Sequence, residues 1–179
     1  MNQIRLLQDL TDKLRELLKG YSLPNKAGVL QEVQVLRQYL PQPDGLTFTD
    51  KGRDGLKNYS AVDYESNFPC VIVKLTEQLD EEERGNDGTK VSVSILTAIY
   101  DEGKECQGYI DILNLQEEIR QYLLEHRILA DRYLLMMPLK TKLLEVDTWP
   151  VYWGEQTMVY VAARPVMGME WIHGRKESR

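Results

Sequence analysis

Apolar residues fall on a helical stripe in two places along the chain. Over residues 2–19, Leu7, Leu10, Leu14, Leu17 and Leu18 align. Asp9, Asp12, Lys13, Arg15, Glu16 and Lys19 occupy the rest of the wheel, and Gly20 stands where such a helix would stop. A stripe of this kind either docks a partner or covers the chain's own sheet, and the second is the expectation here. Over residues 107–125, Tyr109, Ile112, Leu113, Leu115, Ile119, Tyr122 and Leu123 form a second stripe, with Gln116 as a polar interruption.

Between and after these helices the pattern changes to that of strands. Val33 and Val35 alternate with polar neighbours, so residues 32–40 read as a strand that Pro41 and Pro43 end. Residues 69–77 hold Cys70, Val71, Ile72 and Val73 in a row, the signature of a central strand covered on both faces. Residues 90–100 place Val91, Val93, Ile95, Thr97 and Ile99 on one face. The other face starts polar at Ser92 and Ser94 and turns apolar at Leu96, Ala98 and Tyr100. One end of that second face should therefore be solvated and the other covered. Residues 128–146 read as a strand to about Met137, a break at Pro138 and a second extended piece. Residues 147–154 read as a turn, and 156–166 as a last strand that is apolar on both faces and ended by Pro165.

The expected fold is α+β: a mixed, largely antiparallel sheet of about four to five strands, with an N-terminal helix and one crossing helix packed on it. A single domain over 1–179 is expected. It would carry a long polar loop at 42–67, a charged hairpin loop at 80–88 and a flexible C-terminal tail at 167–179.

Charge and composition narrow the function classes. Net charge is −6, from 22 Lys and Arg against 28 Asp and Glu, which carries no basic footprint for nucleic acid. No run of apolar residues is long enough to cross a bilayer, and Asp9, Asp12 and Arg15 interrupt any leader-like segment at the start. A cytoplasmic site of folding is expected.

Candidate chemistry is sparse. The two histidines, His126 and His173, have no nucleophile motif beside them. Cys70 and Cys106 form no CxxC pair and are read as reduced. The acidic loop Asp80, Glu81, Glu82, Glu83 and Asp87 lacks the ligand spacing of a calcium loop. No phosphate-cradling glycine loop occurs. Asp44, Glu102 and Lys104 resemble nuclease residues only superficially, because nearly sixty positions and two loops separate them. No cofactor, metal or catalytic residue is assigned, and the chain is read as non-enzymatic. Aromatic residues crowd the end of the chain instead. Trp149, Trp153, Tyr160 and Trp171 are candidates for an interface, where rings with one dry and one wet end are enriched.

The order of elements resembles that of phage tail-terminator (tail completion) proteins. An N-terminal amphipathic helix is followed by a strand ending in Gln38-Tyr39-Leu40-Pro41, then Asn67-Phe68-Pro69-Cys70-Val71-Ile72-Val73-Lys74. After an acidic turn come the strand from Val91 to Asp101, Gly108-Tyr109-Ile110-Asp111 and a helix carrying Ile119-Arg120. A tryptophan-bearing turn and a strand complete the pattern, which spans nearly the whole chain. The resemblance implies a virion protein of the tail or neck that forms a homo-hexameric ring. Such a ring would contact the tail tube protein on one side and a head-completion or connector protein on the other. DNA would be passing cargo only, and no membrane is involved. An acidic lumen would not grip phosphate, so Asp80, Glu81, Glu82, Glu83 and Asp87 become candidate lumen or rim residues. Two other readings stay open: another head–tail connector or minor structural protein, and an enzyme or small-molecule binder with an unfamiliar site.

Overall fold

Strand and helix periodicities separate cleanly along this chain, and the computed structural model follows them over residues 3–41, 64–80, 88–103, 107–144 and 149–163. Helix α1 is Gln3–Leu17 and α2 is Gly108–Glu125. The strands are β1 (Ser22–Pro24), β2 (Leu30–Glu32), β3 (Gln34–Arg37), β4 (Cys70–Asp80), β5 (Gly88–Tyr100), β6 (Ile128–Leu129), β7 (Tyr133–Leu143) and β8 (Val151–Ala163). A single 3₁₀ turn, Tyr64–Asn67, precedes β4. Among the described residues, no helix is long and apolar enough to cross a membrane.

Six strands form one mixed sheet in the order β3-β4-β5-β8-β7-β6, and β1 and β2 form a separate two-stranded ribbon. The fold is α+β, with more strands than the four to five expected. All neighbours in the large sheet are antiparallel except β3 and β4, which run parallel. Its centre is the β5–β8 pair, in register over thirteen positions from Gly88↔Ala163 to Tyr100↔Val151.

Both helices lie on one face of the sheet. Leu6, Leu10, Leu14 and Leu18 of the first stripe and Ile112, Leu115, Ile119 and Leu123 of the second are essentially fully buried. They meet Val71, Val73, Val93, Ile95, Ile99, Leu135, Met158 and Tyr160 from the strands in one continuous core. At about 1.5–3 kcal/mol per fully buried large aliphatic side chain, this layer is the main source of stability. Arg15 fastens α1 to β3 by donating from Nε and Nη2 to the Val35 carbonyl at 3.2 and 3.0 Å. The entry to α2 is set by Asp101, whose carboxylate accepts from the amides of Gly103 at 2.7 Å and Gly108 at 2.8 Å.

Four expectations are corrected. Residues 32–40 are not one strand: the segment splits into β2 and β3, and Val33 between them bonds back to Tyr21 at 2.9 Å. Pro138 does not end a strand. It sits in an irregularity of β7 between Met136 and Lys140, on an edge that the two-residue β6 does not reach, so no ladder partner loses a donor. The last strand starts at Val151 rather than 156, immediately after Pro150, and thus absorbs the second half of the expected turn at 147–154. Leu7 and Leu17 of the first stripe are only half buried, while Leu6 takes a core place. The expected long loop at 42–67, apart from the 3₁₀ turn at its end, and the expected tail at 167–179 fall outside the described residues.

Candidate interaction surface

Alternation along β4, β5, β8 and β7 sends every second side chain to the face away from the helices. On this open face the cross-strand pairs can be read as rows. One end holds the rows Ile72–Leu96 and Cys70–Ala98–Trp153, followed by Tyr100–Val151. Phe68 covers this end, with its ring edge-on to Trp153 at 5.8 Å between centroids. The turn of the β1–β2 ribbon brings the Lys26 ammonium to 6.0 Å from the Tyr100 ring centre. The result is a second, smaller apolar cluster of Phe68, Cys70, Ile72, Ala98 and Tyr100.

A polar band crosses the middle of the face. Ser94 donates to Glu155 at 2.7 Å, and Lys142 pairs with the same carboxylate at 2.9 Å. These two hydrogen bonds, the lysine's first, hold the Glu155 carboxyl below the usual glutamate range. Lys74 and Thr157 flank the band by register.

Beyond the band the face turns apolar again and stays exposed. Leu79, Lys90, Val161, Leu134 and Ile128 are successive cross-strand partners over five strands. The adjacent row carries Ser92, Val159 and Met136. Ile128 is 64% exposed, Leu79 43%, Leu134 42% and Met136 37%. Apart from Lys90 and Ser92 this area is apolar, and an exposed apolar area is a candidate contact surface.

The sequence-predicted site residues divide into three groups. Trp149 is 58% exposed, next to the start of β8. Trp153 is half buried in the covered end of the open face. Tyr160 is no interface residue: it points to the helices, is 1% exposed, and burial pushes its phenol upward. Its parity in β8, shared with Met158 and Ala162, places it under α1 and α2, while its neighbours Val159 and Val161 reach the open face. Asp80 is exposed at the end of β4 and accepts from Thr89 at 2.5 Å and from Gln78 at 3.0 Å, which makes it a strand-end brace. Glu81, Glu82, Glu83, Asp87 and Trp171 lie outside the described residues. Sequence reading missed Leu134, Met136 and Ile128 as a surface. The signal was present in their alternation with the buried Tyr133, Leu135 and Leu129.

Groups able to do chemistry are separated or buried. Cys70 is a free thiol at 0% exposure, and burial pushes its pKa to about 12, far from a reactive thiolate. His126 caps the end of α2, stacked on Tyr122 at 4.5 Å, with Nδ1 3.0 Å from the Tyr122 carbonyl. It borders a cleft of about 370 Å³ between the helices and β6, floored by Leu10, Leu123 and Leu129 and rimmed by the Lys13–Glu16 ion pair. Glu102 is exposed on the turn after β5; Asp44, Lys104, Cys106 and His173 lie outside the described residues. No cluster of three or more metal-ligating side chains occurs among the described residues.

Under α2 the polar interruption seen in the sequence turns inward. Gln116 is 1% exposed and Gln156 0%. Gln156 Nε2 donates to the Gln116 carbonyl at 2.9 Å and to the Thr141 hydroxyl at 3.3 Å. Gly154 leaves the room this needs: a Cβ there would lie 2.3 Å from Gln116 Nε2 and 2.7 Å from Ile112 Cγ2. The sequence matches no known family model and no curated protein.

Proposed function

We propose that this chain is a non-enzymatic structural subunit of a phage or phage-like particle, of the tail-terminator kind. Copies of it form a ring that caps the tail tube and joins it to the head. The observation that supports this reading most is the exposed apolar end of the open face, Ile128, Leu134 and Met136 beside Val159 and Val161. Such a surface suits a protein made to be covered by other protein. The element order quoted above supplies the rest of the argument.

A ring of one subunit type uses head-to-tail contacts, in which one patch meets a different patch on the next copy. The test is absolute mass by light scattering across a concentration range, followed by mixing with purified tail tubes. A mass six times the 20.8 kDa chain, or capping of tube ends by a monomer, is the expected outcome. A monomer that ignores tube ends refutes the proposal.

The cleft beside His126 favours a second reading, a binder of a small apolar molecule. A ligand-induced rise in melting temperature that Leu10→Trp abolishes would move the assignment there.

A further inference from the structure

The cleft between the helices and β6 has a polar group at its back. Its floor is Leu10, Leu123 and Leu129, and Tyr160 of β8 also lines it. The Tyr160 side chain is 1% exposed and belongs to the helix-side core. Among the described residues its hydroxyl has no hydrogen-bond partner, although a buried phenol ordinarily takes one. Burial first, and the neighbouring Tyr122 phenol second, push its pKa upward, so it keeps its proton at neutral pH. Tyr122 lines the same cleft, and its ring is stacked on His126 at 4.5 Å. At the rim Lys13 and Glu16 pair at 2.8 Å, and their opposite charges cancel.

We infer that this cleft binds a small uncharged molecule through one carbonyl oxygen. The oxygen accepts from the Tyr160 hydroxyl, and an apolar body lies on Leu10, Leu123 and Leu129. A protonated phenol without a partner has a proton to donate, so the ligand must supply an acceptor. The floor calls for apolar surface and penalises a carboxylate taken out of water. The paired rim has no net charge to offset that penalty. A volume of about 370 Å³ is at the small end for ligand pockets and suits a compact body such as a single aromatic ring. The inference rests on the small-molecule reading of this cleft, which it makes specific, and does not depend on ring assembly.

Nuclear magnetic resonance on the full-length, methyl-labelled chain tests it. The probes are acetophenone, ethylbenzene (the same body without the oxygen) and benzoate. Acetophenone is expected to shift the methyl signals of Leu10, Leu123 and Leu129. Tyr160→Phe should weaken that binding roughly three- to tenfold, the worth of one neutral hydrogen bond, and leave ethylbenzene binding no weaker than before. If neither acetophenone nor ethylbenzene moves these methyls, the small-molecule reading and this inference fall together. If acetophenone binds but Tyr160→Phe affects it no more than ethylbenzene, the cleft is a site for apolar molecules and this inference alone falls. Benzoate binding more tightly than acetophenone would assign the site to anions and also overturn it. Should Tyr160→Phe fail to fold, the Tyr160 Cζ signal of the parent chain decides. It is expected to move much further with acetophenone than with ethylbenzene, and equal movement refutes the hydrogen bond.

Discussion

The two faces of the large sheet are made by the same four long strands, yet they are finished in different ways. Toward the helices, Val71, Val73, Val93, Ile95, Ile99, Leu135, Met158 and Tyr160 are all buried against α1 and α2. Away from them, only the end near Phe68 is closed. A polar band centred on Glu155 follows, and then apolar residues left in the open. Helix packing explains the first face without reference to any other molecule. The second face is intelligible only if part of it is meant to be covered, because apolar rows gain nothing from water. Most of the burial that stabilises the fold is therefore on the helix side of the sheet.

Substitutions matched across the sheet measure that division. Ile95→Ala empties a site with 0% exposure at the centre of the helix-side core. It should cost about 2–5 kcal/mol in urea unfolding. Leu134→Ala, on the open face at 42% exposure, should stay within about 0.5 kcal/mol of the parent in the same measurement. Equal losses would erase the distinction between the faces. Gly154→Ala sharpens it from within one residue. Its new methyl would press on Gln116 and Ile112 of α2 and leave the open face untouched, for a loss of about 1–3 kcal/mol. Hydrogen exchange should show that loss in α2 before β4.

A smaller effect than in the helix-side core is expected at the polar band. Glu155 titrates below its usual value in the folded chain because Lys142 and Ser94 donate to it. A depressed carboxyl stabilises the fold above its unfolded pKa, near 4.5, and that contribution fades as pH falls through the lower folded value. At neutral pH Glu155→Gln should cost up to about 1 kcal/mol, because the pair is partly solvated. The gap between parent and variant should close as the solution is acidified. A gap that widens in acid would show that the carboxylate is not held by its lysine.

How far the sequence foretold this division depends on the element. The helix-side face of β5 was legible to the residue, because alternation over eleven positions leaves one solution, whereas on the other face Ser94 is buried and Leu96 only partly so. Both helices were placed within two residues of their ends. The β1–β2 ribbon was not legible: Ser22–Pro24 and Leu30–Glu32 are three residues each and show no alternation. Gln116 read as a flaw in an apolar stripe, since its partners, the Lys142 carbonyl and Gln156, lie twenty-six and forty positions away on β7 and β8. The candidate site was only partly legible. Tryptophans drew attention by their rarity, whereas Leu134 and Met136 hid in a run where every residue is apolar.

Gln38 has a consequence for how copies of this chain can meet. It adopts a left-handed backbone, φ 61°, just past β3. Its side-chain amide accepts from the Leu75 nitrogen at 2.7 Å and donates to the Leu75 carbonyl at 3.4 Å. A carboxamide thereby occupies the slot that a peptide group from another chain would need. Open sheets polymerise when each end offers such slots, and fibrils grow that way. Here one end is plugged by a side chain, and the irregular stretch around Pro138 spoils the other. Both edges of the sheet thus carry features that work against strand-on-strand growth.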